Sequence, residues 1–177
     1  MEPSTLAPPW QAPCEALYRE YAGRVRRVCR LLLDDPQEAQ DVAQEVFLKL
    51  LRAYPLAVAP VPWGPWLLRV AINACRDRRR AGWWRWWRRR HDPLEEIAVT
   101  DPAPTPDRMA LSAEARARLW LVFRELPARQ REVVTLRYVE GWSTEEVATA
   151  LAVSTGSVKQ HLFRAVRRLR AALGDTV

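Results

Sequence analysis

Trp142 to Arg170 reads WSTEEVATALAVSTGSVKQHLFRAVRRLR. Ser143, with Glu146 three residues on, makes a capping box, so a helix opens there and is expected to reach about Leu151. After a short turn Ser154 can cap a second helix, from Thr155 to about Leu173. Val147, Ala148, Leu151, Val153, Val158 and Leu162 supply the packing between the two, with Ala148 small where they cross. Two helices joined in this way form a helix-turn-helix. Ala152 occupies the turn, where glycine would best tolerate positive φ. The second helix carries Lys159, Arg164, Arg167, Arg168 and Arg170 and no acid. Its first turns offer Ser157, Lys159, Gln160 and His161, the donor and acceptor types that read base edges in a major groove. A plain helical hairpin with a basic surface is the competing reading. His161 is a polar surface residue or a DNA contact rather than a metal ligand, since His91 gives it no evident partner.

Working outward, helical spacing dominates the rest of the chain. Leu17, Tyr21, Val25, Val28 and Leu32 recur at three- and four-residue steps and mark a first amphipathic helix. Asp34-Asp35-Pro36 ends it and opens the next. That helix carries Val42, Val46, Phe47, Leu50 and Leu51 on one side. Its other side holds the acidic stripe Glu38, Asp41 and Glu45. Tyr54 to Pro65 contains four prolines and one glycine, so it reads as a loop. A third helix is expected from near Pro65 through Trp66, Leu67, Val70, Ala71 and Ala74. Leu119, Val122, Phe123 and Leu126 form a further apolar face, followed by Val133, Val134 and Leu136.

The 177 residues carry a net charge of +7. That favours a polyanionic partner, a nucleic acid or an anionic membrane surface. The charge is concentrated: Arg76 to Arg90 holds eight arginines, one acid (Asp77) and four tryptophans. His91 to Asp107 then holds four prolines, five acids and no lysine or arginine, the composition of an extended, self-repelling linker. The expected fold is therefore all-α. Two small helical domains are joined by a flexible acidic linker, the C-terminal one containing the helix-turn-helix. The boundaries fall at residues 12–82, 83–107 and 108–175.

No apolar run approaches the roughly 18 residues that span a bilayer, and MEPSTLAPPW lacks the basic start and apolar stretch of a signal peptide. Cys14, Cys29 and Cys75 are odd in number and lack CxxC spacing, so they read as buried small hydrophobes in a reducing cytoplasm. No catalytic constellation, metal site or cofactor motif is expected.

At two places the residues resemble a family. LPARQREVVTLRYVEGWSTEEVA followed by STGSVKQHLFRAVRRLR resembles the domain of sigma factors that binds the promoter −35 element. EAQDVAQEVFLKLLRAY resembles the helix by which that family grips the polymerase clamp, and PWLLRVAINACRDRRR the helix beside the −10 element. The order of the blocks, with only an acidic linker between them, is similar to the extracytoplasmic-function group. The resemblance implies that core RNA polymerase and promoter DNA are partners, with an anti-sigma protein as a further one. It also implies a cytoplasmic protein, monomeric when free, without stable membrane insertion, whose polymerase does the chemistry.

Residue by residue, the resemblance implies that Glu38, Asp41, Gln44 and Glu45 meet the polymerase. The loop Leu56 to Trp63 would capture a flipped base, with Trp63 stacking. Asn73 would meet the −10 element and Arg76, Arg79 and Arg80 would hold phosphates of the opening duplex, although Asn73 and Asp77, one helical turn apart, can instead orient each other or nearby arginines. Lys159, Gln160, His161, Arg164 and Ser157 would face the −35 element, with Arg167 and Arg168 on phosphates. WWRWWRRR is not part of the family pattern, and the loop at Leu56 to Pro62 is richer in proline than the pattern. The four tryptophans are expected to hold the second domain against the first, with a partner protein or a membrane as other occupants. A DNA-binding regulator that never enters the polymerase, and a membrane-surface protein acting through Trp83 to Arg90, are the rival functions.

Overall fold

The computed structural model describes Pro8, residues 10–89 and residues 113–173, with the backbone alone over 82–89 and at Ala113. Every regular element among the described residues is helical. The chain divides into two compact units, Met1–Ala81 and Gly82–Val177, each described by itself.

In the first unit, α1 spans Gln11–Leu32 and buries Ala22, Val25, Val28, Cys29 and Leu32, the three- and four-residue recurrence of one helix face. Cys14 is buried as well, and the three cysteines are reduced and enclosed, as expected of small apolar side chains. Burial pushes the Cys14 thiol up. At Leu33 the backbone turns extended and α1 stops. Asp35 then opens α2 (Pro36–Ala53): one carboxylate oxygen accepts from the amides of Gln37 at 2.7 Å and Glu38 at 3.2 Å. Such a cap is worth about 1 kcal/mol, and Pro36 loses nothing in the first turn, where its missing N–H would have no partner.

α2 buries Ala39, Val42, Ala43, Val46 and Leu50. Two expected core positions are corrected. Leu51 is exposed, and Phe47 is half-buried at the rim, edge-on to the Tyr18 ring at 4.8 Å. Both lie at the margin of the arc that Val46 and Leu50 centre. A 3-10 turn at Tyr54–Leu56 closes α2.

α3 spans Trp63–Arg89, so it begins two residues before Pro65. The carbonyl of Pro62 already accepts from Trp66 at 3.0 Å, and proline is tolerated within a first turn. Leu67, Leu68, Ala71, Ile72, Ala74 and Cys75 complete the core. Full burial of each larger side chain is worth roughly 1.5–3 kcal/mol. Gly64 allows a close approach: a Cβ there would sit 2.6 Å from Cζ of Tyr21.

In the second unit, α4 spans Ala113–Glu125 and α5 spans Ala128–Val134, continuing as a π-helical turn over Thr135–Val139. Phe123, Leu126, Val133, Val134 and Leu136 are buried. Leu119 and Val122 are half-buried, a shallower placement than their spacing suggested. Gly141, at φ +74°, makes the bend into α6. There the Trp142 amide donates to the Leu136 carbonyl at 3.0 Å, and Arg137 Nη1 donates to the Trp142 carbonyl at 3.0 Å. α6 (Thr144–Leu151) and α7 (Thr155–Leu173) follow. Among the described residues no helix is long and apolar enough to cross a membrane.

Candidate nucleic-acid and partner interfaces

The turn between α6 and α7 is built as its residues require. Ser143 Oγ accepts from the Glu146 amide at 3.1 Å, and the Ser143 amide donates to Glu146 Oε2 at 2.7 Å, completing the capping box. α6 ends on Ala152 at φ 54°, ψ 50°, the single non-glycine residue of positive φ among those described. The Val153 amide reaches the Ala148 carbonyl at 3.0 Å and the Ala152 amide the Thr149 carbonyl at 3.4 Å. Those two bonds are a Schellman closure with alanine in the place glycine usually takes. Ser154 Oγ then accepts from the Ser157 amide at 3.1 Å and starts α7.

α7 packs through Val158 and Ala165, both fully buried, with Leu162 and Leu169 half-buried beside them. Lys159, Gln160, Arg164 and Arg167 are exposed and fall within an arc of about 140° on the opposite side. Arg168 is exposed at the margin of that arc. Ser157 is half-buried, and its amide serves the cap.

His161 does not stand outward with the others. It is half-buried, and its Nδ1 is enclosed without a hydrogen-bond partner. Burial holds its pKa below the usual histidine value, reinforced by the positive charges of Arg129 and Arg164 and opposed by Glu132. Glu132 is itself buried and accepts from Arg129 Nη1 at 3.0 Å. The cause is register: His161 lies only about 60° from Val158 around the helix.

Sequence reasoning passed over Phe163, which is 68% exposed in the middle of the outward arc. With Tyr138, Leu162, Val166 and Arg170 it lines an open groove of about 490 Å³. The signal was its place between Lys159 and Arg167; a search for polar residues misses it.

The first unit presents a differently built surface. Of the acidic stripe, Glu38 and Asp41 are half-buried while Gln44 and Glu45 are exposed. Asp41 Oδ1 accepts from Gln37 Nε2 at 3.2 Å. Glu45 Oε1 is held by Arg78 Nη2 of α3 at 2.6 Å. Arg78 was not among the expected functional residues, because its partner lies 33 positions away in sequence.

On α3, Asn73 Oδ1 accepts from Arg76 Nη1 at 3.3 Å. Arg79 is part-buried and reaches the Leu32 carbonyl at 3.4 Å. It closes the end of α1, a structural task that the phosphate role did not foresee. Arg80 is exposed. Trp63 stacks on Tyr54 at 5.0 Å and meets Trp66 edge-on at 5.3 Å. Leu56 and Val58, in the preceding segment, are exposed. The side chains of Trp83, Trp84, Trp86 and Trp87, on which the expected clamp depends, lie outside the described residues, as does the acidic linker.

Comparison with known proteins decides the family. Residues 17–85 match the family Sigma-70 region 2, and residues 116–169 match Sigma-70, region 4. The chain is 32% identical over 166 residues to the ECF RNA polymerase sigma factor SigL of Mycobacterium tuberculosis, covering 90% of this chain and 88% of that one. The chain belongs to the extracytoplasmic-function group of sigma-70 RNA polymerase sigma factors.

Other relatives agree. The RNA polymerase sigma-H factor of Pseudomonas aeruginosa is 30% identical over 170 residues, covering 90% of this sigma factor and 85% of its own length. Among solved structures, the sigma factor RpoE of Bartonella quintana, in complex with the anti-sigma factor NepR, shares the fold. Its TM-score is 0.74 at 20% identity, over 92% of this chain and 98% of that one. CnrH in complex with the cytosolic domain of CnrY does so at a TM-score of 0.64 and 23% identity, over 94% and 91%. The region 2 match on the first unit sets aside a helix-turn-helix regulator that never enters the polymerase.

Proposed function

We propose that this sigma factor directs promoter-specific initiation as a non-catalytic specificity subunit, with residues 12–82 on the polymerase and the −10 element and residues 108–175 on the −35 element. The observation that carries the reading is the pair of family matches in the order region 2 then region 4. The second falls on a helix-turn-helix whose two helices are both capped by serine.

In this reading Glu38, Asp41, Gln44 and Glu45 of α2 meet cations of the polymerase. Glu45 exchanges its bond to Arg78 for one to the partner, or shares its second oxygen. Lys159, Gln160 and Arg164 face bases of the −35 element or the phosphates flanking them. Phe163, between them, suits an apolar contact such as a thymine methyl. Arg167 and Arg168 bind phosphates and position the helix without reading sequence. Ser157 serves the cap, and His161 acts from beneath the face, setting the pitch of α7.

At the other end, the loop from Leu56 to Trp63 receives an unpaired base against apolar side chains and backbone groups. The free face of Trp63 is the one turned from Tyr54. Asn73 steadies Arg76 for phosphate, and Arg80 is the most exposed of the three arginines. Arg79 contributes by fixing α3 on α1. The 83–107 segment joins the two domains, and its acidic part suits a passage lined by positive charge. The protein works in the cytoplasm, as a monomer when free, and an anti-sigma protein is a fitting regulator, since the Bartonella relative was solved with one.

The test is reconstitution. Purified chain and core polymerase should form a one-to-one complex that opens a specific promoter, whereas core alone should not. A chain that binds promoter DNA but leaves core polymerase unbound would reject the reading.

A further inference from the structure

At the start of α3, Gly64 is buried against a side chain of α1, Tyr21. A Cβ in its place would sit 2.6 Å from Cζ and 2.7 Å from Cε1 of the Tyr21 ring, and closer still to the hydroxyl. The glycine is there for space: among the described residues, the positive φ that favours glycine falls at Gly141 and not here. Arg24 lies over the Tyr21 ring, 5.4 Å from its centroid, and holds it on α1.

Trp63 is the next residue back along the chain. Its ring stacks on Tyr54 at 5.0 Å and meets Trp66 edge-on at 5.3 Å. The Trp66 amide in turn donates to the Pro62 carbonyl at 3.0 Å, which fixes the first turn around it. The indole is thus held from two directions. Tyr54 and Trp66 hold its ring, and the seat of Gly64 on Tyr21 holds its backbone.

We propose that Tyr21 is a positioning residue for capture of the unpaired base. By seating Gly64 it sets where the face of Trp63 stands at the end of the loop Leu56 to Trp63. The proposal rests on the reading that this loop receives an unpaired base, and it adds a residue of α1 that lies outside the loop. Stacking falls off steeply with separation, so a backbone shift of about 1 Å at Trp63 removes much of the contact. A flipped base repays its unstacking best on a wall that is already in place. A methyl at position 64 has two ways out: it pushes the start of α3 outward, carrying Trp63, or it turns Tyr21 aside against the hold of Arg24. Either one moves the wall.

The probe is a fork-shaped DNA bearing the single-stranded −10 element of a promoter that the wild-type holoenzyme selects from a random library. It is compared with the same fork made abasic at each −10 position in turn. In the wild type one abasic position should weaken holoenzyme binding about tenfold, the loss of one stacked base. Gly64→Ala should weaken the intact fork about tenfold and shrink that abasic penalty to less than about threefold. Its affinity for core polymerase should change less than about twofold, since the acidic stripe of α2 shares no contact with Gly64. Tyr21→Leu should behave in the same way, because it removes the seat. The two substitutions together should restore the abasic penalty, because the shorter side chain leaves room for the methyl. A loss of stability alone would lower every affinity together and leave the penalty in place. A penalty of full size in both single variants, or a pair no better than its worse member, would overturn the proposal. A wild type without any abasic penalty would overturn the reading of the loop, and the proposal with it.

Discussion

The two helices proposed to face DNA, α7 and α3, present their polar residues in opposite ways. On α7 the exposed Lys159, Gln160, Arg164 and Arg167 stand together on one face, over a core that is purely apolar at Val158 and Ala165. On α3 several polar residues are already bonded within their unit: Arg78 to Glu45 of α2, Arg79 to the Leu32 carbonyl at the end of α1, and Arg76 to Asn73 on the same helix. The second unit thus presents its cations ready for a ligand, whereas a partner of the first is expected to exchange internal contacts, such as Glu45 with Arg78, for its own. Substitutions on α7 should therefore change binding with little effect on folding. Substitutions on the α2–α3 surface should change both.

The largest expected effect is on polymerase binding. Asp41→Lys with Glu45→Lys should weaken the complex with core by at least about 2 kcal/mol, since opposite charges would be replaced by like ones. Because Glu45→Lys also faces Arg78 with a like charge, the first unit should lose up to about 1 kcal/mol of stability, modest because both groups are partly solvated. Titration of labelled core, alongside denaturant melts of the free protein, measures the two. Unchanged core affinity would remove the acidic stripe from the mechanism.

Next in size is sequence reading. Arg164→Ala or Lys159→Ala should alter base preference, by about 1–3 kcal/mol where a bidentate contact is lost. Neither should alter the melting curve. Arg168→Ala should lower affinity across all sequences and reduce the slope of binding against salt by about 1. The assignment fails if all three substitutions lower every promoter equally.

A third effect depends on pH. His161 has its folded pKa held below the value of 6.5 that a histidine ordinarily shows. The unfolded chain therefore takes up the proton first, and stability falls as pH drops through 6.5 toward the lower folded value. Above that window the effect vanishes. Melts from pH 8 to pH 5 should show this loss in the wild type and a smaller one in His161→Gln; parallel curves would show that His161 does not carry it.

The smallest effect concerns the turn. Ala152→Gly should stabilise the second unit by about 0.5–1 kcal/mol, the relief of a left-handed alanine less the extra freedom of glycine when unfolded. A loss of stability would show that the alanine methyl packs usefully despite its backbone.

That turn was legible in the sequence, as were both serine caps, because each depends on residues a few positions apart. The core of the helix-turn-helix was legible for the same reason, since Val147, Leu151 and Val158 keep a helical period. What could not be read were features set by packing between elements. Arg78 meets Glu45 only because α2 and α3 lie side by side, and Arg79 finds Leu32 only where α1 ends. His161 reads as an outward residue by its polar type, although its register puts it beside Val158. Phe163 was passed over for the opposite reason: an aromatic residue reads as core until its neighbours are placed. The start of α3 at Trp63 was hidden by a run of prolines that suggested a loop, of which Pro65 is accommodated in the first turn.

Two surfaces with separate tasks, one for the polymerase and one for the promoter, are proposed to give the polymerase its promoter specificity. Run-off transcription with core polymerase on a promoter library tests this most directly, comparing the wild type, the Asp41→Lys, Glu45→Lys double variant, and Arg164→Ala. The wild type should select a defined set of promoters, the double variant should transcribe almost none, and Arg164→Ala should transcribe a shifted set. Transcripts that appear without the chain, or the same promoter set at the same strength from all three proteins, would contradict it.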